Sequence, residues 1–168
     1  MIRPARPIDL PLLPAIEDAA GTRFAGTSAA LDADLPSIPL AAFAAAHELG
    51  CLWVAADRDE APIGFLLTEP RAPWLHLREL DVHPDHNGKG LGRALIAAAA
   101  AAAPSLGCDR LSLTTFRDIP WNAPWYRRIG FQDMQGDAVP DWLAAILAQE
   151  ARLGLDPANR CAMVMPVL

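Results

Sequence analysis

The chain has 168 residues and a mass of 18.0 kDa, which fits one ordinary domain. Hydrophobic residues make up 52% of it and charged residues 20%, a composition that excludes disorder as the main state of the chain. There are 20 acidic and 14 basic residues, and the net charge of −6 excludes a broad positive face of the kind that binds nucleic acid or anionic membranes.

No segment of the sequence predicts a membrane span or a secretion signal. The longest uncharged apolar run, Ala94–Ala103, is about half as long as a bilayer requires and ends at Pro104. The N-terminal stretch is interrupted by prolines and by Asp9, so it lacks the apolar core of a signal peptide. These patterns predict a cytoplasmic protein.

Cys51, Cys108 and Cys161 lie far apart and form no Cys-x-x-Cys pair. This spacing argues against a disulfide framework and against a zinc site. We therefore expect three buried thiols and no metal.

The first third of the chain predicts a short strand, two helices and a loop. Met1–Arg3 forms the strand, and Asp9 caps a helix whose apolar residues recur at helical spacing up to Ala20. The segment Ala25–Pro39, rich in small residues and proline, is a loop. A second helix runs from Pro39 to Gly50, and its predicted inward face consists of Leu40, Phe43, Ala44 and Leu49.

The middle of the chain predicts strands followed by a helix. Cys51–Ala56 and Pro62–Thr68 flank a polar turn and form a hairpin. Trp74–Val82 is the next strand, and it leads directly into a glycine-rich segment. A helix then extends to about Ala103, and its many alanines predict close packing on a sheet.

The last third continues the alternation of strands and helices. Strands are predicted at Leu111–Phe116, Phe131–Met134 and Cys161–Val167, and helices at Asp118–Ile129 and Pro140–Leu153. No linker or repeat interrupts this pattern. The sequence therefore predicts one α/β domain over residues 1–168.

The glycine-rich segment places Gly88, Gly90 and Gly92 between a strand and the start of a helix. Free backbone N–H groups and the helix dipole favour a phosphate at such a position, and Lys89 and Arg93 add positive charge. The spacing fits neither a Walker loop nor a Rossmann loop, because Ser or Thr does not follow Gly88-Lys89 and no glycine lies three residues after Gly92. The segment predicts a pyrophosphate site of another type.

Two motifs resemble those of the GNAT superfamily of acyl-CoA-dependent N-acyltransferases. The first is a strand ending in Val82-His83-Pro84 and followed by Asn87-Gly88-Lys89-Gly90-Leu91-Gly92-Arg93; the second is Tyr126-Arg127-Arg128-Ile129-Gly130-Phe131. Both occur in the family's order and at its usual distance.

This resemblance implies a single GNAT-type α/β domain with a mixed, mainly antiparallel central sheet flanked by helices. It implies acetyl-CoA as cosubstrate and an amine of a small molecule, a peptide or a protein as acceptor. It leaves open whether the protein forms a homodimer.

The resemblance also assigns the coenzyme contacts. The backbones of Leu80 and Val82 hold the pantetheine arm, the Leu80 N–H polarises the thioester carbonyl, and the pyrophosphate is bound by Asn87, Gly88, Lys89, Gly90, Leu91, Gly92 and Arg93. Two positions depart from the family pattern. Asn87 replaces the usual Arg or Gln, and Ile119 stands where an Asn near the pantetheine is common, so that Asn122 is the expected substitute.

The catalytic expectations centre on Tyr126, which matches the family's general acid and would protonate the departing thiolate. Glu79 and His76 are both candidate bases on the strand Trp74–Val82. Their odd spacing places them on opposite faces unless a bulge intervenes, so the sequence alone does not choose. An ion pair of Glu79 with Arg78 or Arg71 is the competing structural interpretation.

The acceptor is expected at residues 17–42, the segment that forms this region in the family. Glu17, Asp18 and Arg23 are the polar candidates there, although an exposed helix face explains them equally well. Trp121 is the tryptophan best placed to line a substrate pocket.

Two alternatives to an amine acetyltransferase follow from the same motifs. A non-catalytic acyl-CoA-binding regulatory module would keep the glycine loop, but the retained Tyr126 argues against it. An enzyme acting on aminoacyl-tRNA is disfavoured by the net charge of −6.

Overall fold

The computed structural model describes residues 1–29 and 36–167, and in these ranges seven strands form one sheet. The strands are β1 (Ile2–Pro4), β2 (Leu52–Ala56), β3 (Pro62–Arg71), β4 (Trp74–Val82), β5 (Arg110–Phe116), β6 (Gln132–Met134) and β7 (Arg160–Pro166). The helices are α1 (Leu13–Gly21), α2 (Leu40–Glu48), α3 (Leu91–Ala102), α4 (Ala123–Arg128) and α5 (Asp141–Arg152).

The sheet has the order β1-β2-β3-β4-β5-β7-β6. Its neighbouring strands pair antiparallel except β4 and β5, which are parallel and are connected through α3. A mixed, mainly antiparallel sheet with flanking helices is the predicted fold class, which the structure confirms.

Helices cover both faces of the sheet. On one face, Leu95, Ile96 and Ala99 of α3 pack on Leu75 and Leu77 of β4 in a single buried cluster. The alanines of α3 let its backbone approach the strands closely, as the sequence predicts. On the other face, α1 and α2 pack on strands β2 and β3 in a second cluster that includes Leu13, Ile16, Phe43, Val54, Phe65 and Leu67.

Asp9 does not cap a helix through its side chain, in contrast to the prediction. It precedes a 3-10 turn over Leu10–Leu12, and its buried carboxylate instead accepts hydrogen bonds from the Arg3 guanidinium at 2.6 and 3.0 Å and from the Arg6 N–H at 2.7 Å. Burial, the largest single influence, acts to raise the pKa of Asp9, but the hydrogen bonds and positive charges of Arg3 and Arg6 together lower it below its usual value. Asp9 therefore ties β1 to the start of α1.

The predicted helix over Asp118–Ile129 is shorter in the structure. Residues 118–122 form no helix, since Pro120 disfavours the α conformation of Ile119 before it and Asn122 has non-helical angles, φ −106° and ψ −120°, so that α4 begins at Ala123. The predicted inward face of α2 is also partly wrong. Phe43 is fully buried, but Leu40 and Leu49, one at each end of the helix, are 52% and 59% exposed.

Residues 30–35 of the predicted loop Ala25–Pro39 lie outside the described residues. In the part of the chain that the structure covers, no helix is both long and apolar enough to cross a bilayer.

Candidate active site

A cleft opens where β4 and β5 separate. The two strands pair from Trp74↔Arg110 to His76↔Ser112, and beyond these pairs residues 77–82 and 113–116 line opposite sides of a cavity of about 700 Å³. Such an opening in a parallel pair exposes backbone groups that a ladder would otherwise use. The cleft is therefore suited to binding an extended ligand along β4.

A bulge in β4 decides which way the carboxylates point. Leu67 pairs with Glu79 but Thr68 pairs with Leu77, so Arg78 is the extra residue on β4. The bulge places Glu79 on the same face as His76. Their partners Leu67 and Glu69 are two residues apart on β3 and therefore point to the same face of the sheet. Glu79 and His76 therefore do not lie on opposite faces, because the bulge that the sequence analysis allowed for is present.

Glu79 lines the cleft, whereas His76 lies outside it. His76 is 3% exposed, its Nδ1 lies 3.1 Å from the Ser112 hydroxyl, and its ring packs against Trp142 at 5.3 Å between centroids. Burial, followed by the charges of Arg71 and Arg78, lowers the pKa of His76 from 6.5 to about 4. His76 is a neutral packing residue at neutral pH.

His76→Gln is expected to reduce the acid sensitivity of the fold. The unfolded state takes up the His76 proton below pH 6.5 and the folded state only near pH 4, so this residue lowers the free energy of unfolding as the pH falls through that window. Between pH 7.5 and pH 5, the wild-type protein should lose about 2 kcal/mol more than the variant in urea denaturation. An equal loss in both proteins would contradict the buried neutral imidazole.

The backbone of β4 directs two N–H groups into the cleft. The His83 N–H donates to the Ile63 carbonyl at 2.9 Å, and residues that bond to the same neighbour alternate in an antiparallel ladder. Glu79 and Asp81 therefore direct their N–H groups towards β3, and Leu80 and Val82 direct theirs towards β5. These two residues are the ones that the family resemblance assigns to the pantetheine arm.

The glycine-rich segment forms one end of the cleft. Gly88 and Gly90 have φ angles of +74° and +76°, left-handed conformations that glycine adopts without the penalty of a side chain. Both precede the N-terminus of α3, where unpaired N–H groups favour an anion. The predicted phosphate-binding residues that line the cleft are Asn87, Gly88, Gly90, Leu91, Gly92 and Arg93.

Lys89, the remaining predicted phosphate-binding residue, is not among the residues that line the cleft. Its ammonium donates to the Asp85 carbonyl at 3.2 Å and lies 3.3 Å from the His86 ring. In this conformation Lys89 stabilises the turn before α3.

Tyr126 reaches the cleft from the face that α3 covers. Its ring packs edge-on against Trp125 at 4.9 Å and against Phe131 at 5.4 Å. Burial, and after it the negative charges of Glu79 and Asp81, raises the pKa of the Tyr126 phenol. The phenol is therefore fully protonated at neutral pH, which a proton donor requires.

Asn122 lies beside Tyr126 at the start of α4 and lines the cleft. Its side-chain amide donates to the Thr115 hydroxyl at 2.8 Å, and its buried Oδ1 has no hydrogen-bond partner among the described residues. A buried unpartnered acceptor is unusual in proteins and marks Asn122 as suited to a ligand N–H.

The face covered by α1 carries a group of aromatic rings at the mouth of the cleft. Phe24 lies 5.7 Å from Phe116 and 6.0 Å from Trp121, and the guanidinium of Arg23 stacks over Trp121 at 4.7 Å. Both Trp121, the tryptophan favoured for a pocket, and Arg23, for which the sequence left two interpretations open, line the cleft. The two acidic candidates on α1 do not, because Glu17 accepts from the Ile38 N–H and Asp18 from the Ser37 hydroxyl.

Two features of the cleft were missed by sequence analysis. Asp81 also lines the cleft. It lies two residues after Glu79 and therefore on the same face, so the two-residue periodicity of the strand could have predicted it. Arg160 of β7 and Glu150 of α5 form an ion pair at 2.9 Å and also line the cleft. No local pattern marks that pair, because only the sheet order brings β7 beside β5.

The three cysteines are buried, and none is among the described residues that line the cleft. Burial raises the pKa of each thiol, so at neutral pH they are protonated and weak nucleophiles.

Comparisons with known proteins agree with this architecture. Peptidyl-lysine N-acetyltransferase YjaB of Escherichia coli (strain K12) is 38% identical over 55 residues, and the match spans 33% of this chain and only 35% of YjaB. Rv2747 from Mycobacterium tuberculosis, solved with CoA, is 20% identical with a TM-score of 0.70, covering 100% of this chain and 99% of its own.

A further structural relative is N-acetylglutamate synthase from Neisseria gonorrhoeae, solved with coenzyme A and N-acetyl-glutamate. It has a TM-score of 0.74 at 18% identity and covers 100% of this chain, which spans 35% of the synthase chain. At such identities the two solved structures establish the fold. The profile of the Acetyltransferase (GNAT) family matches residues 16–131, more than half of the sequence, and the chain therefore belongs to that family.

Proposed function

We propose that the protein transfers an acetyl group from acetyl-CoA to a primary amine. The observation that carries this proposal is the cleft between β4 and β5, which has an anion-binding helix N-terminus at one end, two inward backbone N–H groups along it and Tyr126 beside them. The relatives solved with CoA support the choice of cosubstrate.

The coenzyme lies along β4 in this proposal. The pyrophosphate accepts hydrogen bonds from the backbone N–H groups around Gly88 and Gly90, and Arg93 supplies positive charge. The pantetheine arm pairs with the backbone of Leu80 and Val82 as an added strand would. The Oδ1 of Asn122 accepts an amide N–H of that arm.

The reaction is a direct attack of the amine on the thioester. Glu79 accepts a proton from the incoming ammonium, directly or through water, and the neutral nitrogen then attacks the carbonyl carbon. The Leu80 N–H stabilises the negative charge that develops on the carbonyl oxygen. As the carbon–sulfur bond breaks, Tyr126 donates its proton to the thiolate, and the proton that the amide nitrogen then loses restores the phenol through water. Glu79 releases its proton to solvent, so that the products are the acetylated amine, CoA and one proton.

Direct transfer predicts intersecting lines in two-substrate initial-velocity plots. Both substrates must occupy the cleft together, because the cysteines that could accept an acetyl group are buried away from it. Parallel lines, or retention of a labelled acetyl group on the protein after gel filtration, would indicate a covalent intermediate and contradict the direct route.

The acceptor class is proposed as a small-molecule amine or an amine of a peptide or protein, with neither nucleic acid nor membrane as a partner. Two relatives support both kinds of acceptor, since YjaB is named a peptidyl-lysine N-acetyltransferase and the Neisseria gonorrhoeae protein an N-acetylglutamate synthase. The net charge of −6 favours such acceptors over nucleic acid.

Glu79→Gln tests the proposed base. We expect kcat/KM for the amine to fall by about 10²-fold at pH 7 and to recover as the pH rises, because a pre-deprotonated amine needs no base. Thiol release from acetyl-CoA measures the rate. Glu69→Gln is the matched control, since Glu69 is a half-buried carboxylate of β3 that pairs with Arg71 and is not among the residues that line the cleft.

A small loss with an unchanged pH profile in Glu79→Gln would assign the base to another group or to water. Absence of amine-dependent thiol release in the wild-type protein, with acetyl-CoA still bound, would favour the non-catalytic acyl-CoA-binding module.

A further inference from the structure

On the α1 face, the β4 side of the cleft carries two carboxylates, and the β7 side carries Arg160 paired with Glu150. Glu79 and Asp81 project from β4 on this face. Thr114 and Phe116 of β5 share it, because Ser112 pairs with His76 and side chains alternate along the strand. Arg160 pairs with Phe116 and so lies on the same face, across the cleft from the two carboxylates.

Arg160 is held in one orientation. Its Nε and Nη2 donate to the two Glu150 carboxylate oxygens, each at 2.9 Å, and its guanidinium stacks over Phe116 at 4.3 Å. The Thr114 hydroxyl fixes Glu150 with a hydrogen bond of 2.6 Å. The side chains of Arg160 and Glu150 are only 11% and 15% exposed, and the pair leaves the Nη1 amino group of Arg160 outside it.

A scaffold does not require this ion pair. Desolvating two charges costs about as much as their attraction returns, so an apolar pair of similar volume would hold α5 on β7 at least as well. A fixed arginine at the wall of a binding cleft does have a use in recognition, because the Nη1 amino group that Glu150 leaves outside the pair can still donate to a ligand carboxylate.

We propose that the cleft selects an acceptor that carries a carboxylate in addition to its primary amine, and that Arg160 binds this carboxylate. This inference rests on the proposed function. The ammonium of the acceptor approaches Glu79 and Asp81, near the thioester, while its carboxylate meets the guanidinium of Arg160. The acceptor class is thus an amino acid, which carries an amine and a carboxylate in one molecule.

Matched acceptors measure this preference. An ω-amino acid and its carboxamide have the same chain and the same amine, and only the first has a carboxylate. We expect kcat/KM of the wild-type protein to be about tenfold or more higher for the acid. The ratio of the two values, acid over amide, reports on the carboxylate contact and is insensitive to the amount of active protein.

The two members of the ion pair should shift this ratio in opposite directions. Arg160→Gln removes the cation and should lower the ratio to about one, and Arg160→Lys should recover part of it. Glu150→Gln removes the competing carboxylate and should raise the ratio. A purely structural ion pair would change both ratios in the same direction or change neither.

Two further variants keep the test informative if Arg160→Gln folds poorly. The double variant Glu150→Gln/Arg160→Gln leaves no unpaired charge and should also show a ratio near one. Arg152→Gln is the matched control, since Arg152 is an exposed α5 residue bound to Gln149, and should keep the wild-type ratio.

Equal kcat/KM for acid and amide in the wild-type protein, or a preference for a lysine-containing peptide over both, would overturn the carboxylate site while leaving acetyl transfer intact. If acetyl-CoA binds but no amine is acetylated, the proposed function fails, and the carboxylate site fails with it.

Discussion

Tyr126→Phe is expected to lower kcat by about 10²-fold or more while the dissociation constant for acetyl-CoA stays nearly unchanged. The proton of Tyr126 is needed only as the thiolate leaves, so its removal raises the barrier of the chemical step without removing a contact to the bound coenzyme. The ring contacts to Trp125 and Phe131 remain in the variant. Thiol-release kinetics give kcat, and calorimetric titration gives the dissociation constant.

The electrostatics around Tyr126 sharpen this expectation. Glu79 and Asp81 raise the pKa of the phenol together with its burial, so deprotonation does not compete with proton donation near neutral pH. The alkaline limb of the wild-type pH profile for kcat should therefore lie above the ordinary range of a tyrosine. Full activity of Tyr126→Phe would reduce Tyr126 to a packing residue and would mean that the thiolate leaves unaided or takes its proton elsewhere.

Gly90→Val is expected to abolish stabilisation of the protein by acetyl-CoA. A β-branched residue is strained at the φ of +76°, and relief of that strain would move the N–H groups that face the pyrophosphate. In the wild-type protein, acetyl-CoA at a hundred times its dissociation constant should add about 2.7 kcal/mol to the free energy of unfolding, whereas NADH and ATP should add little. Thermal unfolding with each ligand measures these differences.

Gly50→Val provides the control for backbone strain. Gly50 has a similar φ of +68° and open space around it, but it ends α2, away from the cleft. We expect both variants to lose stability without ligand and only Gly50→Val to keep the acetyl-CoA shift. An unchanged shift in Gly90→Val would remove the glycine-rich segment from the binding site.

The glycine-rich segment could be predicted from sequence because it depends on local geometry, and Tyr126 was assigned through the resemblance of Tyr126–Phe131 to a family motif. Positive φ angles favour glycine at positions 88 and 90, and also at Gly130 in the turn that follows α4. The same locality explains why the alternation of strands and helices predicted the fold class, since periodicity and breakers act within one element.

The orientation of Glu79 was not predictable in the same way. It depends on the bulge at Arg78, which is defined by the pairing of β4 with β3 and not by the residues of β4 alone. Arg160 is a stronger case, since its position in the cleft results from the insertion of β7 between β5 and β6. Long-range pairing thus positions Glu79 and Arg160, on the proposed acceptor side of the cleft, and local motifs form the proposed coenzyme side.

Mass spectrometry of an amine acceptor incubated with isotopically labelled acetyl-CoA tests the central proposal most directly. The proposed function predicts that the labelled acetyl group appears on the amine nitrogen of at least one amino acid, small amine or lysine peptide, in amounts equal to the CoA released. This transfer should disappear in Gly90→Val and fall by about 10²-fold in Tyr126→Phe. Binding of acetyl-CoA without labelled product from any amine in such a panel would contradict an acetyltransferase and indicate an acyl-CoA-binding module instead.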